Sequence, residues 1–142
     1  MDDHDSDFEV LNYNLTPDSF DETLHQPISN SFSLTHVNIR SLGKNFDELS
    51  FLYDHTLKSK FDIICLSEVW NVRNTAMLGM SGYTLEVKCR KDNARGGGVG
   101  AYIRSSLKYN ILDFELLHAE SLWLEISVNK KRVTPKTCWT HS

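Results

Sequence analysis

The stretch from Ser33 to Ser67 constrains this chain most, because it reads as a strand, a helix and a buried strand within about 35 residues. Ser33-Leu34-Thr35-His36-Val37-Asn38-Ile39 alternates small or apolar with polar residues, the period-two pattern of an extended segment. Phe46, Leu49, Tyr53 and Leu57 then recur at spacings of three, four and four, which puts them on one stripe of a helix. Asn45 followed by Glu48 has the form of a capping box and predicts the helix start there. Lys58-Ser59-Lys60 supplies cations where the helix dipole favours them, at the C-terminal end. Phe61-Asp62-Ile63-Ile64-Cys65-Leu66-Ser67 has a continuous apolar middle, as a strand covered on both faces requires. Together these elements predict a crossover unit with two neighbouring parallel strands.

Further on, Tyr83 to Lys88, Gly97 to Ile103 and Leu122 to Val128 read as extended, and Tyr109 to His118 predicts one more strand. Leu122, Leu124, Ile126 and Val128 share one face of the last segment, while Trp123, Glu125 and Ser127 share the other. The fold class is therefore α/β, with a parallel start that becomes strand-rich. A length of 142 residues suits one domain. The net charge of -4 is unevenly spread: residues 1–30 hold eight acids and no Lys or Arg, whereas residues 31–142 hold eleven acids and all fifteen bases, a balance of +4. This divides the chain into an acidic leader (1–32), a folded body (33–128) and a short tail (129–142). The leader reads as a solvated, disordered segment, or alternatively as an internal mimic of nucleic acid lying over the basic body.

Several classes are excluded. No apolar run reaches the roughly 18 residues of a bilayer span, and the acidic start, Met1-Asp2-Asp3-His4-Asp5, lacks the features of a secretory signal. Cys65, Cys89 and Cys138 are widely spaced and odd in number, which fits neither a disulfide framework nor a metal knuckle and points to a reducing compartment, with the choice between nucleus and cytoplasm left open. The six histidines show no H-x-x-x-H spacing, and no G-x-S-x-G elbow is present, so zinc and serine hydrolases have no support.

Two places carry chemistry. Asn38 ends the first strand and Glu68 follows the second, so parallel pairing predicts that both reach the carboxyl edge of the sheet, where α/β folds bind ligands. An amide oxygen and a carboxylate are hard ligands suited to Mg²⁺; the plainer alternative is that Glu68 caps the following turn and Asn38 bonds the backbone. Asp92-Asn93-Ala94-Arg95-Gly96-Gly97-Gly98-Val99-Gly100 frees the backbone for unusual conformations or close approach. It is neither a Walker loop nor a dinucleotide fingerprint. With Lys88, Arg90, Lys91 and Arg95 beside Tyr83 and Tyr102, it suits contact with a phosphate backbone or forms a plain charged loop.

The blocks Leu34-Thr35-His36-Val37-Asn38-Ile39-Arg40-Ser41-Leu42, Phe61 to Trp70 (ending Leu66-Ser67-Glu68-Val69-Trp70), Gly82-Tyr83 and Arg95 to Ile103 resemble, in this order, the endonuclease/exonuclease/phosphatase superfamily. They look most like the apurinic-endonuclease-type domain of non-LTR (LINE-type) retrotransposons, over about residues 33–128. The resemblance implies Mg²⁺-dependent phosphodiester hydrolysis on DNA and a four-layer α/β sandwich of two packed sheets. It assigns Asn38 to orienting the phosphate and metal and Glu68 to metal ligation; Arg40, Arg90, Lys91 and Arg95 are weaker candidate nucleic-acid contacts of the basic body. Where the wider superfamily often has an Asp, this chain has Arg40.

The family's later motifs, a Tyr-Arg block, Gly-Asp-x-Asn and Ser-Asp-His, do not occur in this sequence, and His141 follows Thr140. The chain thus reads as about the first half of the domain with an unrelated or frame-shifted ending. Without those motifs no base orients the water and no histidine steadies the phosphate. The expectation is an inactive fragment, or a remnant that binds nucleic acid weakly. It further expects Leu122, Leu124 and Ile126 to lie uncovered, exposing a sheet face to aggregation or pairing.

Overall fold

A computed structural model describes residues 32–57, 61–91, 96–128 and 131–133. In chain order these form β1 (Leu34–Asn38), α1 (Leu42–Phe51), β2 (Ile63–Ser67), β3 (Tyr83–Lys88), β4 (Val99–Arg104), β5 (Lys108–Leu112), β6 (Trp123–Val128) and β7 (Lys131–Val133). One wide turn, Leu52–Thr56, extends α1, and a single 3-10 turn, Thr75–Leu78, precedes β3. The first sheet has the order β1-β2-β4-β3; the second has β5-β6-β7. β1 and β2 are parallel, as the crossover predicts, and β4 runs antiparallel to both β2 and β3.

Both faces of the first sheet are covered. Period-two alternation sends Ile64, Leu66 and Tyr102 to one face, where they pack with Leu42, Leu49 and Tyr53 of the helical segment. Phe46 and Leu57 are half-buried against the same cluster, so the predicted stripe is the one that packs. Ile63, Cys65, Val99, Ala101 and Ile103 point the other way and meet Leu122, Leu124 and Ile126. This corrects the expectation of a bare face. Ile126 is 0% exposed and Leu124 3%, because the second sheet lies on the first and closes an interior between them. An uncovered face built on these residues is therefore no site for aggregation or pairing. The protein is a mixed α/β fold in which a helix and a small antiparallel sheet flank a four-stranded sheet.

Two boundaries differ from expectation. The helix cap is Ser41, whose Oγ accepts from Lys44 N at 3.3 Å. Asn45 lies inside the helix, and its Nδ2 donates to the carbonyls of Ile39 (2.9 Å) and Arg40 (3.0 Å). The side chain thus satisfies carbonyls of the tight β1–α1 turn rather than the helix amides. The strand predicted over Tyr109 to His118 ends at Leu112, beyond which a single bridge joins Leu116 and Ala119. The acidic leader and Lys58-Ser59-Lys60 lie outside the described residues, but for Phe32, which packs against the inter-sheet cluster. Of the tail, Lys131–Val133 pairs with β6.

The amino edge of the first sheet is a closed polar lock. Asp62 accepts from Ser33 N (2.8 Å), Ser33 Oγ (3.1 Å) and Arg104 Nε (3.2 Å). Arg104 also donates to Phe61 O at 2.9 Å and lies 5.7 Å from the Tyr83 ring centroid. Tyr83 Oη donates to the same Phe61 carbonyl at 2.6 Å. The two sheets are tied as well: Tyr109 Oη donates to Glu86 Oε1 at 2.6 Å. Burial and the adjacent Glu86 carboxylate push the Tyr109 phenol up to about 12.

Candidate functional site

The carboxyl edge is built differently. Asn38, Ser67, Val99 and Lys88 are register partners across all four strands, so they form one row along that edge. Pairing continues past the strand ends through Ile39 N to Ser67 O (3.0 Å), Ser41 N to Glu68 O (2.8 Å) and Leu42 N to Val69 O (3.1 Å). These bonds carry Arg40 and Glu68 forward side by side. Asn38 and Glu68 consequently leave adjacent strands, which lie about 4.8 Å apart, at the same edge. Asn38 is exposed and its side chain makes no hydrogen bond among the described residues, whereas Glu68 is half-buried.

Backbone strain concentrates at the same place. Among the described residues the non-glycine positions with positive φ are Arg40 (45°), Ser41 (85°), Glu68 (58°) and Trp70 (61°), all on the segments leaving β1 and β2. Each such residue costs on the order of 1–3 kcal/mol and persists only where surrounding structure enforces it. Here the cross-loop bonds above enforce it.

The glycine run explains the orientation of Glu68. Gly96, Gly97 and Gly98 have φ of 88°, 69° and 81°, a path that glycine follows without steric cost. Gly97 N donates to Glu68 Oε2 at 3.1 Å, and Trp70 Nε1 donates to the same oxygen at 3.0 Å. The run is held in return by Trp70 N to Gly97 O (2.9 Å) and Val69 N to Gly98 O (3.3 Å). On its far side Gly98 N donates to Glu120, which also pairs with Arg90. Three glycines thus let one backbone run between two carboxylates and give an amide to each.

The remaining predicted contacts fall as follows. Arg40 is exposed in the strained turn. Arg90 is tied to Glu120 and Lys91 to Glu115 at 3.1 Å, so both cations face carboxylates from the segment before β6. The Lys91 ammonium holds the exposed Glu115 carboxyl below its ordinary range. These residues line a groove of about 340 Å³ with Lys88, Cys89 and Leu116. Arg95 lies outside the described residues. Sequence reasoning missed His36, Trp70 and Glu120. His36 shares a face with Asn38, its Nε2 lies 3.0 Å from Ser67 Oγ, and burial lowers its pKa from 6.5.

The donor set fits a hard cation in part. Glu68 and Asn38 offer a carboxylate and an amide oxygen, and Mg²⁺ commonly binds one or two carboxylates plus waters and phosphate oxygens. Among the described residues no group of three or more His, Cys, Asp or Glu converges as a metal cage. No described helix is long and apolar enough to cross a membrane. No protein-family model matches the chain, and no curated protein matches it.

Proposed function

We propose that this chain carries the first half of a Mg²⁺-dependent DNA endonuclease site, of the retrotransposon type that its sequence blocks resemble, and that these 142 residues alone do not cleave DNA. The observation that carries the reading is that Asn38 and Glu68 leave adjacent parallel strands at one strained sheet edge. The helix and two packed sheets agree with part of a four-layer sandwich, the finer architecture that the resemblance implies.

In this reading Glu68 and Asn38 would hold Mg²⁺, and the chemistry it would supply is positive charge beside a phosphate oxygen. Gly97 and Trp70 orient the carboxylate, and Asn38 turns its amide toward the same phosphate. In-line hydrolysis further needs a group that orients water and one that steadies the leaving oxygen. The family's Asp-x-Asn and Ser-Asp-His would supply both, and neither occurs in this sequence. Weak nucleic-acid binding without cleavage is the accompanying expectation. The pairing of Arg90 and Lys91 with Glu120 and Glu115 counts against tight binding, since phosphates must displace both acids.

Retention of a labelled DNA duplex by the 142-residue chain at low salt, with and without Mg²⁺, tests this, alongside nicking of supercoiled plasmid. The expected result is no nicking above the blank, and retention that Mg²⁺ strengthens in the wild type and leaves unchanged in Glu68→Gln. Retention indifferent to both Mg²⁺ and Glu68 contradicts the site, and Glu68-dependent nicking contradicts the claim of inactivity.

A further inference from the structure

We propose that Trp70 is a positioning residue for Glu68, acting through its indole N–H, and that Glu120 supports the same arrangement through the glycine run. The inference rests on reading the carboxyl edge as a metal site.

A glutamate carboxylate rotates broadly about its last torsion. Two donors on a single oxygen remove that freedom, and Glu68 Oε2 receives both Trp70 Nε1 (3.0 Å) and Gly97 N (3.1 Å). Trp70 is poorly explained as a core residue. Its neighbour Val69, 0% exposed, fills the interior, whereas Trp70 is half-buried at the edge. Its positive φ of 61° folds the chain so that the indole reaches back two residues to Glu68. The main chain of Trp70 also bonds Gly97 O, so the residue joins the run twice. Glu120 closes the assembly from the segment before β6: it accepts from Gly98 N and pairs with Arg90. Three separated segments therefore converge on the direction of one carboxylate. Partners of a ligating group contribute to metal affinity in this way, and losing one typically costs about 10- to 100-fold.

The experiment measures Mn²⁺ binding to the 142-residue chain by loss of the free-ion electron paramagnetic resonance signal, with the urea midpoint recorded for each variant. Wild type is expected to bind and Glu68→Gln to lose binding. Trp70→Phe, which keeps an aromatic ring and removes the N–H, should weaken binding about 10- to 100-fold. Glu120→Gln, which keeps an acceptor for Gly98 N and removes the charge facing Arg90, should weaken it less. Wild-type affinity in Trp70→Phe, with binding lost in Glu68→Gln, overturns the positioning role and leaves the metal site standing. No binding by wild type, or binding unaffected by Glu68→Gln, overturns the metal site and the positioning role together. Where Trp70→Phe does not fold, the indole N–H resonance of Trp70 in the folded chain decides. It should broaden on adding Mn²⁺ and move in Glu68→Gln, and an unchanged signal in both overturns the role.

Discussion

Gly98→Ala at the carboxyl edge and Gly82→Ala at the amino edge form a matched pair that separates the two reasons for glycine in the 96–98 run. Both residues have φ of 81°, so alanine meets the same backbone penalty at each, about 1–2 kcal/mol. Reduced freedom of the unfolded chain returns about 0.4–1 kcal/mol of it. The two sites differ in space: a Cβ at Gly82 meets nothing within 4 Å, whereas at Gly98 it stands 2.8 Å from Val69 Cγ2, 3.4 Å from Lys88 O and 3.5 Å from Trp70 O. Val69 is fully buried and cannot move aside cheaply, which adds about 1–3 kcal/mol of overpacking. Gly82→Ala should therefore cost about 1 kcal/mol and Gly98→Ala about 3 kcal/mol. In urea unfolding, with a slope near 1–3 kcal/mol/M, that difference separates the two midpoints by about 1 M. Equal midpoints would refute the claim that the run is packed between Val69 and Glu120, and with it the account of how Glu68 is oriented.

At the opposite edge, Asp62→Ala removes the acceptor of Ser33 and Arg104 together. It should cost about 3 kcal/mol in the same assay, since charged hydrogen bonds are lost and Arg104 is left half-buried without its carboxylate; a loss below about 1 kcal/mol would contradict the lock. Tyr109 provides a pH test. Its folded pKa lies above the ordinary 10.0, so its contribution to stability is complete below pH 10 and disappears as pH rises through about 12. Tyr109→Phe should flatten the alkaline fall in stability between those values, and an identical pH profile would show that the bond to Glu86 does not join the sheets.

The crossover unit was legible because period-two and helical spacing are local, and the short continuous apolar run Ile63–Leu66 argues for an inner strand. The edge position of Asn38 and Glu68 followed from that topology alone. The cover of Leu122, Leu124 and Ile126 was not legible: their alternation marks a face to be buried, but the strands they meet lie 19 to 63 residues away in the chain. The cap moved to Ser41 because Asn45 bonds carbonyls of the preceding turn, a competition between equivalent polar side chains that spacing does not settle. The orientation of Glu68 depends on left-handed backbone at Glu68 and Trp70 and on an amide 29 residues distant, which no residue pattern encodes. Glycines at 96–98 announced that the backbone needed freedom there, though not which groups it would join.

The most direct measurement is a map of paramagnetic line broadening in the amide spectrum of the chain as Mn²⁺ is added. The account predicts early loss of signal from Ile39, Glu68, Trp70 and Gly97, while Leu34, Ile63 and Arg104 at the far edge stay sharp, and no such pattern in Glu68→Gln. Broadening spread evenly over both edges, or centred on Glu115 and Glu120, would contradict a magnesium-holding pair formed by Asn38 and Glu68.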